Sequence, residues 1–416
     1  MIGTFFSILL AAFIVFNPFV GEANLNATVL SIAMLATGIL FLLMLPASIA
    51  FSWLPLQKAE QNATPRILEM YRKDAHLRLT SAWLAIFPLA SFVLGLDVLY
   101  THIFEVKIIF AIWIILLGIT IDASQYLFKR ILGYLNPFAV VEMFTKEANQ
   151  AIRNEREEDL CQWIDALSEI SIKAMQRHSS SLSNASINEQ QQIARLFLKS
   201  SKSISHHSQD KQTIELGISD KISYVMFFLY QRLELEFDKA IKNNIEPTCS
   251  QIIVSLGKIA IDAANYDISI ASPPLRFLGK FALLAQEKEM HETSIKASCT
   301  LLGVAHTILN EIEIAYQEIK DPFFSIVNAM EELAKGEFRK NKSMNISLLT
   351  QPFVELKAMF ATGAAKDHVD TPAIIQNIDR VLGEFEALQM VMNTLPTIPE
   401  IREETIPPPP NLTPTP

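Results

Sequence analysis

The chain has 416 residues, half of them apolar, only 13 glycines and a formal charge of −9, a balance too apolar for an ordinary soluble protein and too poor in glycine and charge for a disordered one. Through Arg130 there are 8 Lys and Arg against 7 Asp and Glu; from Ile131 onward 27 stand against 37, so the acidic excess lies wholly in the second part. Such an acidic surface repels phosphate backbones, which argues against nucleic acid as a partner and favours basic or neutral ones.

The first element in chain order is an uncharged stretch from Met1 to Val20, followed by one from Ala27 to Leu56, one from Leu79 to Leu96 that extends past Asp97 to Tyr100, and one from Ile108 toward Phe128 interrupted by Asp122. Each approaches the roughly 20 apolar residues that a helix needs to cross a hydrocarbon core of about 30 Å. Four transmembrane helices are therefore expected, at about 1–20, 27–56, 79–100 and 107–128, within a membrane domain of residues 1–130. The second is longer than required and is expected to tilt, or to bend at Pro46. The first lacks the basic start and small-residue cleavage site of a signal peptide and is read as a retained span.

Loop charges give the orientation. Lys58, Arg66, Arg72, Lys73 and Arg78 lie between spans two and three, and Lys129-Arg130 follow span four, whereas the other two loops carry only Lys107. This alternation places both termini in the cytoplasm. Trp53, Trp83, Tyr100 and Tyr126 fall near span ends, where aromatic belts form.

The loop Thr64-Pro65-Arg66-Ile67-Leu68-Glu69-Met70-Tyr71-Arg72-Lys73-Asp74 resembles one in a family of uncharacterised bacterial predicted membrane proteins, where a Ser/Thr-Pro-Arg loop joins the second and third of four N-terminal spans. The likeness covers about residues 29–104. It implies a bacterial inner membrane and supplies no activity. The Pro-x-x-Asn-Asp-Pro pattern of that family's soluble region does not occur here.

Among the spans, the candidate polar site is Asp122, because an ionisable group in hydrocarbon is costly. It lies about 22 Å inward from Lys107 at the helical rise, near the depth of Pro46 and Ser48 on span two and Pro88 on span three. Carbonyls freed by the two prolines could accept a hydrogen bond from a protonated Asp122, or water could fill the gap. The alternative is an interfacial aspartate beside Lys129 and Arg130. Asp97 is expected at the outer interface.

Residues 131–395 are expected to form a cytoplasmic all-α domain. A capping side chain followed by proline marks a helix start at Thr64-Pro65, Asn136-Pro137, Ser272-Pro273, Asp321-Pro322 and Thr371-Pro372. The polar stretches His178–Gln192 and Ser205–Thr213 read as loops. The word Leu256-Gly257-Lys258-Ile259-Ala260 returns 22 residues later as Leu278-Gly279-Lys280-Phe281-Ala282, more weakly at Leu302-Gly303, and earlier as Leu167-Ser168. The small residue lets helices approach closely. Units of this length, taken in pairs, suit HEAT-like or armadillo-like stacked helices, with an irregular bundle as the alternative.

The last helix carries Ile374, Ile378, Val381, Phe385, Leu388, Met392 and Leu395 at alternating spacings of 4 and 3. This seam suits either packing on its own domain or a homo-oligomer. Residues 396–416 hold eight prolines and read as a disordered tail.

No nucleotide, zinc-protease or hydrolase motif occurs, and Cys161, Cys249 and Cys299 have no redox or metal spacing. His206-His207, His291 and His306 lack a ligand spacing too, so no catalytic residue, metal or cofactor is expected. The expectation is a scaffold held in the lipid bilayer that binds a protein on the cytoplasmic side; the alternative is an oligomeric channel or transporter with a gating domain.

Overall fold

The computed structural model describes residues 2–16, 27–62, 64–101, 105–207, 211–341, 345–362 and 365–394. Among these the chain is all-α, with no strand. The N-terminal helices are α1 (Ile2–Phe16), α2 (Ala27–Asn62), α3 (Arg66–Lys73), α4 (Ala75–Leu96) and α5 (Val106–Leu135). A π-helical turn, Asp97–Thr101, continues α4.

Four helices are long and apolar enough to cross a membrane: Ala27–Pro46, Ala75–Tyr100, Val106–Leu135 and Ile268–Glu287. The first three match expected spans two to four. The fourth was not expected as one: it is apolar because Leu275, Leu278 and Phe281 are fully buried inside the chain. The described part of expected span one, Gly3–Phe16, is apolar but shorter than a span. Pro46 lies within the single helix α2.

Contacts among α1, α2, α4 and α5 are close because small residues stand where the helices cross. Gly38 of α2 faces the Pro88 carbonyl of α4, to which a Cβ would approach within 3.2 Å. Along the same crossing, Ser31 Oγ donates to Gly95 O at 2.7 Å, Ser91 Oγ donates to Met34 O at 2.7 Å, and Trp113 Nε1 of α5 donates to Ser91 Oγ at 3.0 Å. Trp83 Nε1 reaches Thr120 Oγ1 at 3.2 Å, tying α4 to α5. The outward faces carry large apolar side chains, among them Phe6 at 65% exposure, Leu43 at 70% and Leu79 at 72%.

The second part comprises α6 (Pro137–Arg153), α7 (Glu157–Gln176), α8 (Ser180–His207), α9 (Lys211–Lys242), α10 (Glu246–Tyr266), α11 (Ser272–Glu287), α12 (His291–Glu311), α13 (Lys320–Lys340), α14 (Ile346–Phe360) and α15 (Thr371–Thr394), with a 3-10 turn at Ile268–Ala271. Every helix packs on the next and on the next but one. Consequently α6, α8, α10, α12 and α14 form one layer, and α7, α9, α11, α13 and α15 the other.

The recurring Leu-Gly words explain part of this close stacking. A Cβ on Gly257 would meet Thr300 Cγ2 at 2.2 Å, and one on Gly279 would meet Ala329 Cβ at 2.7 Å, so each glycine marks a contact with the helix two positions on. Gly303, the third word, has nothing within 4 Å and marks no close approach. A second repeat lies in the turns. Glu155, His178, Asn244 and Glu289 adopt positive φ of 53–60° at helix ends. After each, the next N–H reaches back to an alanine carbonyl, Ala151, Ala174, Ala240 or Ala285, at 2.9–3.0 Å. These are Schellman turns built without glycine, closing one helix and opening the next within three or four residues.

Helices begin at or within two residues of all five proline signals, although the capping chemistry varies. Asn136 accepts from Phe138 N at 3.1 Å as a cap should, whereas Ser272 is already helical and Asp321 gives no cap. The loop expected at His178–Gln192 is instead the beginning of α8, from Ser180. Three of its polar residues face a buried polar cluster rather than solvent: Ser183, Ser186 and Gln190 are fully buried, while Ser181 and Gln192 are exposed. Of the loop expected at Ser205–Thr213, residues 208–210 lie outside the described residues, and the remainder is helical.

One hydrophobic core runs from the bases of the apolar helices (Ile67, Leu77, Leu84, Leu127, Ile131, Tyr134) through the stacked layers to Phe385. A smaller cluster, including Ile14, Met34, Val98 and Trp113, sits elsewhere among α1, α2 and α5 and the turn after α4.

Candidate functional site

Asp122, the candidate from sequence, lies on α5 and meets the first turn of α1. Its carboxylate accepts from Gly3 N at 3.0 Å and Thr4 N at 2.9 Å, and from the Thr4 hydroxyl. This satisfies N–H groups that the start of a helix leaves open. Gly3 and Gly118 permit the approach: a Cβ on Gly118 would meet Ser7 Oγ at 2.0 Å. Asp122 therefore accepts from α1 rather than donating to a carbonyl freed by proline. Pro88 is buried against α2 and Pro46 is exposed, while the Ser48 side chain lies outside the described residues.

The seam on α15 is turned into the chain's own core. Ile374, Ile378, Val381 and Phe385 are fully buried, with the Phe385 ring 6.4 Å from Phe353 of α14, and Leu388 packs partly buried on the same core. The Met392 side chain and Leu395 lie outside the described residues. Arg380 fixes this helix to α13 by gripping Glu331 with both terminal nitrogens, at 3.2 and 2.6 Å.

The site that sequence reasoning missed lies at the junction of the two parts. A cavity of about 390 Å³ is lined by α3, the base of α5, α6 and the start of α7. The loop motif Thr64–Asp74 supplies one wall. Asp74 caps α4 through His76 N and Leu77 N, and accepts from Arg130 Nε at 3.0 Å and Tyr134 Oη at 3.1 Å. Burial acts to raise the Asp74 pKa, but the hydrogen bond from Arg130 and those from Leu77 and Tyr134 outweigh it and hold the carboxyl below its usual range. Lys73 pairs with Glu69 at 2.6 Å, and Arg156 with Asp159 at 2.9 Å.

Two charged groups of this lining are left over. Arg66 Nη1 donates to Gln162 Oε1 at 3.1 Å and its guanidinium lies 5.7 Å from the Trp163 ring centroid; it acts on Glu69 through space but makes no ion-pair contact with a carboxylate among the described residues. Glu147 of α6 has no ion pair among them either, and the two do not meet. Sequence reading did single out the loop, but nothing local could say that Glu147 and Trp163, some 80 to 100 residues away, would face it.

A second polar cluster is closed to solvent. Glu236 of α9 is fully buried with Ser168 and Ser171 of α7 and Ser183, Ser186 and Gln190 of α8. Gln190 Nε2 donates to Glu236 Oε1 at 2.7 Å, and the Ser171 and Ser183 hydroxyls share a hydrogen bond of 2.9 Å. Burial pushes the Glu236 carboxyl up to about 7, against smaller opposing effects of Ser171, Gln190, Ser168 and Arg232.

No family model matches the chain, and no curated protein matches it significantly. A solved structure, a circular tandem repeat protein with novel repeat topology and enhanced subunit contact surfaces, is similar over 89% of this chain and 98% of its own at 15% identity. Its TM-score of 0.18 is too low to carry an argument.

Proposed function

We propose that the chain is a membrane-anchored helical scaffold. In this reading α1, α2, α4 and α5 cross a bacterial inner membrane with both termini cytoplasmic, and the stacked domain presents an acidic, HEAT-like or armadillo-like surface to a protein partner.

The observation that carries the proposal is the continuous core. Ile67, Leu77, Leu127 and Ile131 at the bases of the apolar helices share it with the stacked helices, so the domain is seated on its anchor rather than tethered by a loose linker. Support for the anchor comes from the outward apolar side chains of α1, α2 and α4 and from serine hydroxyls that bond between helices, as suits helices packed in lipid. Support for a binding surface comes from the two-layer stacking, which leaves long helix faces open, and from the acidic balance of residues 131–416. A channel or transporter would draw its support from Asp122, whose carboxylate is already engaged with the first turn of α1.

The test is crosslinking of the full chain in native membranes, with identification of captured proteins. The full chain is required because the domain shares its core with the anchor. A specific protein crosslinked to residues of α6–α15, in membranes that retain the chain on alkaline carbonate washing, is the expected result. Capture of further copies of the chain alone, or release by carbonate, would refute the scaffold.

A further inference from the structure

The junction cavity has an unusual charge account. Three of its cations are committed to three of its carboxylates, Lys73 to Glu69, Arg130 to Asp74 and Arg156 to Asp159. What remains is one cation on α3, Arg66, and one carboxylate on α6, Glu147, which do not pair with each other across a space of about 390 Å³. A guanidinium that commits one donor to Gln162 keeps others for a phosphate, and its cation–π contact with Trp163, 5.7 Å from the ring centroid, holds it beside the cleft. A carboxylate facing the same space suits an ammonium. A purely anionic ligand would leave Glu147 opposed to it, and a purely cationic one would oppose Arg66.

We propose that this cleft between α3, α5, α6 and α7 binds a phosphoethanolamine group, with its phosphate on Arg66 and its ammonium on Glu147. The cleft lies where the apolar helices meet the stacked domain, so the group's source is either an ethanolamine phospholipid or free phosphoethanolamine. The lipid source rests on the reading of α2, α4 and α5 as spans.

Binding is measured by native mass spectrometry of the purified full chain titrated with phosphatidylethanolamine, phosphatidylglycerol and phosphatidylcholine, with free phosphoethanolamine as competitor. One phosphatidylethanolamine per chain is expected, held at least tenfold more tightly than the other two. The choline lipid is disfavoured because its quaternary nitrogen cannot donate to Glu147. Arg66→Gln should weaken binding at least tenfold. Glu147→Lys should shift preference to phosphatidylglycerol, a gain that a misfolded variant would not show. Competition by free phosphoethanolamine at concentrations equal to those of the lipid identifies the soluble source; its failure to compete identifies the lipid.

Equal binding of all three lipids, or an unchanged preference in Glu147→Lys, would overturn the proposal. Alkaline carbonate extraction separates this result from the anchor reading: a chain that stays in the membrane but shows no preference defeats the site alone. A chain that washes out while still binding phosphoethanolamine defeats the anchor alone.

Discussion

Replacing Glu236 by glutamine should convert a pH-dependent junction into a pH-independent one. The carboxyl lies wholly inside the α7–α8–α9 contact, where its pKa rises from the ordinary 4.5 to about 7 because burial disfavours the charged form. Between those values the folded chain binds a proton that the unfolded chain releases, so stability falls as pH rises through this window. Below pH 4.5 both states are protonated and the penalty is absent; above pH 7 it is complete. At about 1.4 kcal/mol per pH unit, the interval corresponds to about 3 kcal/mol. Glutamine keeps an oxygen to accept from the Gln190 amide and adds an NH2 group that the Ser168 and Ser171 oxygens can receive. The Tm of wild type and Glu236→Gln, read by intrinsic fluorescence in detergent, should be close at pH 5 and separate by about 6 to 12 °C at pH 8, the variant being the more stable. The pH dependence of the difference is the readout, since other groups titrate equally in both proteins and any packing loss is a constant offset. A difference that is the same at pH 5 and pH 8 would refute the reasoning.

Three further outcomes follow from the stacking and its turns. Gly279→Ala places a methyl 2.7 Å from Ala329 Cβ and should cost about 1–3 kcal/mol, whereas Gly303→Ala, with nothing within 4 Å, should be neutral or slightly stabilising; equal Tm values for the two variants would contradict the packing role of Gly279. Glu289→Gly relieves a left-handed residue at φ 60° and should raise stability by about 1 kcal/mol in urea unfolding, an effect that no change or a loss of midpoint would disprove. Cys299 is exposed, while burial pushes the thiols of Cys161 and Cys249 up to about 11 and 12, so maleimide at neutral pH should label Cys299 first and the other two only on unfolding. Rapid labelling of Cys161 or Cys249 in the native chain would count against their burial.

Local chemistry by itself determined the class of the fold and where many helices start. Proline fixes its own φ and gives up an N–H that the first turn does not need, so the signals at Pro65, Pro137, Pro273, Pro322 and Pro372 survive any tertiary context. The ends of helices were harder to read, because Glu155, His178, Asn244 and Glu289 occupy left-handed positions where glycine is the usual marker. A buried alanine four residues earlier, at Ala151, Ala174, Ala240 and Ala285, accompanies each turn and was the available signal.

Apolar patterning placed the expected spans two to four on continuous helices and left out Ile268–Glu287, whose apolar face, with Leu275, Leu278 and Phe281, is buried among neighbouring helices while Pro273, Arg276 and Lys280 stay exposed. Polarity misled in the opposite direction at Ser183, Ser186 and Gln190. These residues resemble a loop until α7 and α9 pack on them: Gln190 then reaches Glu236, Ser183 shares a hydrogen bond with Ser171, and Ser186 donates to Leu167 O. Only the tertiary structure decided that Asp122 engages α1, that the α15 seam faces inward, and that Arg66 and Glu147 share one cavity. The physical reason is common to all three: a side chain's partner is set by which helix faces meet, and that depends on the packing of the whole stack rather than on spacing along any one helix.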